Sequence, residues 1–150
     1  MGYTHYFELK TNGTVNLDNV QKAVQKVLDE DSNIIQREYD DKAKPVNEIS
    51  DGNLLIKFNG IGNEGHETFY LDTKKVGFNF CKTARKPYDS TVCKVLSILK
   101  YYFGSDIVIT SDGFSRDLGD VMNTKGDGHS DGWDKASEYM RKNFNKIVAQ

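Results

Sequence analysis

The residues Lys82, Thr83, Arg85 and Lys86 crowd a five-residue stretch that runs straight into Pro87-Tyr88-Asp89. Arg presents a planar fork that grips phosphate or carboxylate with two parallel hydrogen bonds, and Lys adds point charge. A Pro-led entry into a helix places free backbone N–H groups and the positive end of the helix dipole in the same few ångströms. Those features together predict an anion site. The bland alternative is a solvated turn whose Lys-Pro merely starts a helix.

Three further sets of residues are candidates to complete such a site. His66 and Glu67 follow a loop with glycines at 60, 62 and 65, where a bare backbone can approach a ligand. His66 is suited to acid–base work or hydrogen bonding, and Glu67 to holding a ribose hydroxyl or orienting the imidazole. Their spacing matches neither the Walker nor the dinucleotide fingerprint, and a polar pair at a strand start is the simpler account. Tyr3 and His5, with Tyr6, Phe80 and Tyr88, offer rings for stacking a base, although a histidine on an aromatic strand face is more often packed in a core. Asp112, in Ser111-Asp112-Gly113, is either a turn residue or a reader of a ligand hydroxyl.

Metal and nucleophile chemistry find less support. Asp127-Gly128-His129-Ser130-Asp131-Gly132, with Glu138 beyond, approaches a calcium loop but has His at its third position and no helix before it. No His, Cys and carboxylate set shows zinc spacing, so neither a metal nor a cofactor is expected. Cys81 and Cys93 lack a base nearby in sequence and read as reduced packing residues.

The elements that must position these groups follow from periodicity. Residues 3–10 alternate as a strand with Tyr3, His5, Phe7 and Leu9 on one side. A helix capped by Asn16 or Asp18 runs to about Asp29, burying Val20, Ala23, Val24, Val27 and Leu28. The pattern from 31 to 51 is weak, with a short strand at Ile34-Ile35 and a loop from Asp40 to Pro45. Leu54 to Phe58, His66 to Leu71 and Gly77 to Lys82 read as strands, the last antiparallel to the one before and buried. Asp89 to Phe103 is the most apolar helix, stopped by Gly104. Ile107 to Thr110 is another strand, 114–133 a glycine-rich flexible loop, and 134–148 a third helix. Asn12-Gly13 reads as a turn. The expected fold class is α+β: a single domain, 1–150, with an antiparallel sheet and about three helices packed mainly on one face.

Composition narrows the function. The chain has 150 residues, 28% of them charged, with a formal net charge of −2. That balance disfavours a general nucleic-acid binder. No apolar run reaches membrane-spanning length, and the start lacks the layout of a secretory signal, so a cytoplasmic location is expected.

The blocks Gly2-Tyr3-Thr4-His5-Tyr6, Phe58-Asn59-Gly60, His66-Glu67-Thr68-Phe69, Phe78 through Asp89 and Ser111-Asp112-Gly113 resemble the signature of an uncharacterised small-protein family of phages and bacteria. The resemblance covers residues 2 to about 113, and residues 114–150 lie beyond it. It carries no agreed activity. By analogy of context it implies a nucleotide sponge of the kind phages use against bacterial immune signals, acting in the host cytoplasm and often as a homo-oligomer. Three functions therefore stand open. The first is a binding protein for a small anion, a nucleotide above all, using Lys82, Thr83, Arg85, Lys86 and the groups around them. The second is an enzyme on a nucleotide or ADP-ribose-like substrate with His66 and Glu67 as its catalytic pair. The third is an inhibitor that binds a protein.

Overall fold

The computed structural model describes residues 3–11, 15–39, 41–114, 117–124 and 131–148. The element order is β1 (Thr4–Leu9), α1 (Leu17–Glu30), β2 (Ile35–Gln36), β3 (Val46–Ser50), β4 (Asn53–Gly60), β5 (Phe69–Asp72), β6 (Gly77–Lys82), α2 (Asp89–Phe103), β7 (Ile107–Ser111) and α3 (Asp131–Val148). Every strand pairing is antiparallel, and the chain is an α+β protein as its sequence predicts. The strands divide into two sheets, one ordered β6-β1-β7 and one in which β4 pairs with β2, β3 and β5.

Two local expectations change. β6 pairs with β1, not with β5, because its inward Cys81 and Asn79 stand opposite His5 and Phe7 and complete that strand's buried face. Nor is β6 buried on both sides: Phe78 and Phe80 point outward and are 65% and 50% exposed. β3 is absent from the sequence reading since its burial alternates only weakly, and its buried residue is Asn47. The Asn47 side-chain amide donates to Gln21 O and Gln25 Oε1, and its backbone carbonyl accepts from Gln21 Nε2, so the strand docks on α1 through a polar link that no hydropathy pattern announces.

The core joins both sheets. Phe7 from β1 stacks on Phe69 from β5, and Phe58 from β4 meets the same ring, each at 5.2 Å between centroids. α2 is the central helix, packed against α1, α3 and β7, and Val92, Val95, Leu96, Ile98 and Leu99 are fully buried. Each such side chain stabilises the fold by about 1.5–3 kcal/mol relative to exposure. α2 ends where Gly104 adopts a φ of 57°. The outer edge of β7 is closed by Leu118, whose N–H donates to Ile109 O, and by Asp117, which accepts from Ile109 N. Cys81 and Cys93 are free and buried. The predicted turn at Asn12-Gly13, residue Gly2 and the stretch Asp127 to Ser130 of the calcium-like loop lie outside the described residues. Among the described residues no helix is long and apolar enough to cross a membrane.

Candidate anion-binding site

The carboxyl ends of β6 and β7, the start of β1 and the amino end of α2 meet at one rim of the molecule. After Lys82 the chain turns sharply: Thr83 N–H and Ala84 N–H both donate to Tyr3 O. Ala84 and Arg85 then take φ values of 53° and 58°, in the left-handed region that non-glycine residues seldom occupy. Such strain costs on the order of 1–3 kcal/mol per residue and persists only where surroundings impose it. Here it is imposed by Lys86 N–H on Thr83 O and Asp89 N–H on Lys86 O, which wind the turn into α2. The outcome is that the Arg85 guanidinium sits over the Tyr3 ring, its Cζ 3.8 Å from the ring centroid.

Beneath this turn sits a buried polar network. Asp89, the first residue of α2, accepts at Oδ1 from His5 Nε2 at 2.6 Å and from Thr83 Oγ1 at 2.5 Å. The other imidazole nitrogen, Nδ1, lies 2.8 Å from Ser111 Oγ. That oxygen already receives the Trp133 Nε1–H at 3.1 Å and the Gly113 N–H at 3.0 Å. A hydroxyl oxygen has two lone pairs and one proton, so Ser111 must donate to Nδ1 and the imidazole proton resides on Nε2. Tyr3 and Trp133 meet the imidazole edge-on at 5.1 and 5.3 Å and seal it from solvent.

His5, Asp89 and Cys93 bring ligand atoms within 4.8 Å of one another, a juxtaposition that sequence spacing does not reveal. A histidine that ligates through Nε2 must give its Nδ1 proton to an acceptor, yet Nδ1 here faces an oxygen whose lone pairs are both engaged. Burial and the neighbouring Asp89 charge also push the Cys93 thiol well above its ordinary value, which opposes both thiolate ligation and nucleophilic attack. The proton inventory of the cluster closes without a metal. Burial acts to raise the Asp89 carboxyl, but His5, by hydrogen bond and by electrostatic attraction, and then Thr83 and Cys93 hold it below its usual range.

Asp89 has a second oxygen. Among the described residues Oδ2 has only the Cys93 thiol, at the long distance of 3.7 Å. Beside Asp89 lies a pocket of about 200 Å³ bounded by Arg85, Lys86, Pro87, Ser90 and Lys135, with Asp89 and Gly132 also in its wall. A Cβ on Gly132 would collide with Oδ2, so α3 approaches this closely only because residue 132 is glycine.

The residues singled out by sequence separate into distinct parts. Arg85 and Lys86 line the pocket. Thr83 is turned inward to Asp89, and Tyr3 and His5 are buried below the turn, so none of these three presents a face to a ligand base. Tyr88 is fully buried too, its hydroxyl donating to Glu67 O at 2.5 Å, and burial pushes that hydroxyl's pKa upward. Glu67 is a brace: Oε1 accepts from Lys82 N–H at 2.7 Å, and its own N–H returns to Lys82 O. Asp112 braces the opposite strand, taking Thr4 N–H on Oδ2 and the Tyr6 hydroxyl on Oδ1. Lys82 extends from β6 half-buried, and His66 is exposed on the β4–β5 connection. Two of the glycines of that connection serve packing: a Cβ on Gly65 would collide with Gly60 O and Asn59 Oδ1, and one on Gly60 would collide with Glu64 O.

Sequence reasoning missed Asp89, Ser90, Gly132 and Lys135 in the pocket and Ser111 and Trp133 beneath it. Asp89 carries a readable signal, an acid at the first turn of a strongly apolar helix. Trp133, the single tryptophan, carries a weaker one, since α3 begins three residues before its periodic pattern does. Scans against protein-family models and searches of curated proteins and solved structures give no match to this chain.

Proposed function

We propose that this protein binds a phosphate-bearing small molecule, with a nucleotide as the leading class, and holds its phosphate in the pocket at the amino end of α2. The observation that carries this reading is the wall of that pocket, where Arg85, Lys86 and Lys135 stand around the first residues of a 15-residue helix. At about 200 Å³ the pocket is smaller than the usual cavity for a whole drug-sized ligand and suits one charged terminus, with the remainder outside. Binding is favoured over turnover because the titratable groups nearest the pocket are engaged. His5 is sealed by Tyr3 and Trp133, and Cys93 is held as a thiol. His66 is not among the residues that line it. Sequestration of a nucleotide signal, the role implied by the family resemblance, is one use of such a site.

The test is calorimetric titration of the full chain with AMP and ATP, alongside mass spectrometry of small molecules released by heat. Lys86→Ala combined with Lys135→Ala should weaken binding by more than about tenfold, the worth of one or two charge-assisted hydrogen bonds. Unchanged affinity in that double variant sinks the assignment, and release of a cleaved product moves the case to an enzyme.

A further inference from the structure

Resting on that reading, we propose that the pocket selects a phosphate that still carries a proton, a terminal phosphomonoester or inorganic phosphate, and rejects sulfate and phosphodiesters, with Asp89 Oδ2 as the discriminating acceptor.

The inference comes from an asymmetry within one carboxylate. Oδ1 is saturated by two short hydrogen bonds from His5 and Thr83. Among the described residues Oδ2 receives one weak thiol contact, and Asp89 stands in the pocket wall with Arg85, Lys86 and Lys135. An anion drawn in by those cations must also confront a carboxylate oxygen. With no proton between them the two negative oxygens repel at close range, a contact that a desolvated wall strengthens. With a P–O–H on the ligand the same contact becomes a charge-assisted O–H···O⁻ hydrogen bond. Asp89 is 7% exposed, so little water is present to relieve the mismatch. The residue also keeps its charge in this setting, for its carboxyl is held below the usual range by the groups that donate to it.

Chemistry then sorts the ligands. A phosphomonoester loses its second proton near pH 6, so a protonated fraction is available in neutral solution. Sulfate and a dialkyl phosphate have no proton to give. A cyclic dinucleotide, whose phosphates are all diesters, falls in the rejected class, whereas a mononucleotide or a linear product with a terminal phosphate falls in the accepted one. Gly132 belongs to the device, since any side chain there would fill the space in front of Oδ2.

The experiment uses four probes on the unmodified full chain, titrated at about pH 6 where monoesters retain a proton. These are inorganic phosphate, methyl phosphate, dimethyl phosphate and sulfate. Phosphate and methyl phosphate should bind at least about tenfold more tightly than the other two, the difference made by one charge-assisted hydrogen bond gained against one repulsion. Asp89→Asn keeps an oxygen for His5 and Thr83 and places an amide donor where Oδ2 was, so phosphate and sulfate should then differ by less than about threefold. Circular dichroism checks that this variant folds, and the four-probe series on the natural chain decides the matter if it does not. Equal affinity for sulfate and phosphate overturns the selectivity while leaving an anion site in place. No binding by any of the four removes the anion site as well.

Discussion

Two polar hubs in this molecule look alike and differ in one respect. Asn59 sits at the end of β4, fully buried, and Asp89 at the start of α2, nearly so. Each gathers separate segments through its side chain, and each has a glycine pressed against it, Gly65 in one case and Gly132 in the other. Asn59 is closed. Its Oδ1 takes the N–H groups of Gly60 and His66, and its Nδ2 donates to His66 O and Thr68 Oγ1. Among the described residues Asp89 is half closed: Oδ1 is filled, Oδ2 has one long thiol contact, and the residue stands in the wall of the pocket that Arg85, Lys86 and Lys135 line. A saturated hub serves the architecture alone. An unsaturated one, held rigid by a saturated neighbour, is where a ligand has something to gain.

The largest way to break the comparison is to remove the closed hub. Asn59→Ala deprives two N–H groups, a carbonyl and a hydroxyl of their partner and leaves a cavity at a fully buried position, which predicts a loss of about 3 kcal/mol in chemical denaturation. The folded fraction should bind phosphate with unaltered affinity. Weakened phosphate binding in protein shown to be folded would mean that the β4–β5 connection, including His66, belongs to the site after all.

Next in size is the double change at Lys86 and Lys135, which should act in the reverse sense: a large loss of affinity and a stability change within about 0.5 kcal/mol, as for surface substitutions generally. A big drop in stability instead would show these lysines to be structural, like the charges on Glu67 and Asp112.

The charge of Asp89 supplies a third test. Its folded-state carboxyl lies below the unfolded value, so the ionised form favours the fold. That contribution is complete above the ordinary carboxylate range near pH 4 and disappears as pH falls through the lower folded value. Melting temperature should therefore decline below about pH 4 more steeply in the natural chain than in Asp89→Asn. Equal slopes would show that the network around Asp89 gives the charge no preference for the folded state.

These contrasts also explain what could be read from sequence. Helices and most strands were legible because their burial follows period: Val20, Val24 and Val27 in α1, His5, Phe7 and Leu9 in β1. The convergence of the cationic turn with a helix start was legible because Lys82 to Asp89 are consecutive. The partition of that cluster was not. Whether Thr83 faces a ligand or Asp89 depends on left-handed φ values at Ala84 and Arg85, which no residue type there announces. Lys135 and Gly132 join the pocket from α3, more than 40 residues along the chain, through a packing of α3 on α2 that local pattern does not encode. Tyr88, taken from sequence as a ring for stacking, is instead a buried strut because its hydroxyl finds the Glu67 carbonyl across the rim.

The smallest predicted effect concerns the face turned away from all of this. Phe78 stacks on Tyr6 at 6.2 Å and Phe80 lies 6.4 Å from Phe78, forming an aromatic row on the outward side of the β6-β1-β7 sheet. With Phe78 already 65% exposed, replacing it by Ser forfeits one cross-strand ring pair and little buried area, a cost of about 0.5 kcal/mol. The side chains of β6 alternate, so Phe78 projects from the face opposite to Cys81 and the buried network. Phosphate should therefore bind Phe78→Ser as it binds the natural chain, and a nucleotide should lose affinity only if its base reaches round the rim to this row. Comparing phosphate with AMP on the one variant separates the two possibilities, because the phosphate term is common to both ligands. A loss confined to AMP would extend the site from the pocket onto the outer sheet face, and equal affinities would confine it to the amino end of α2.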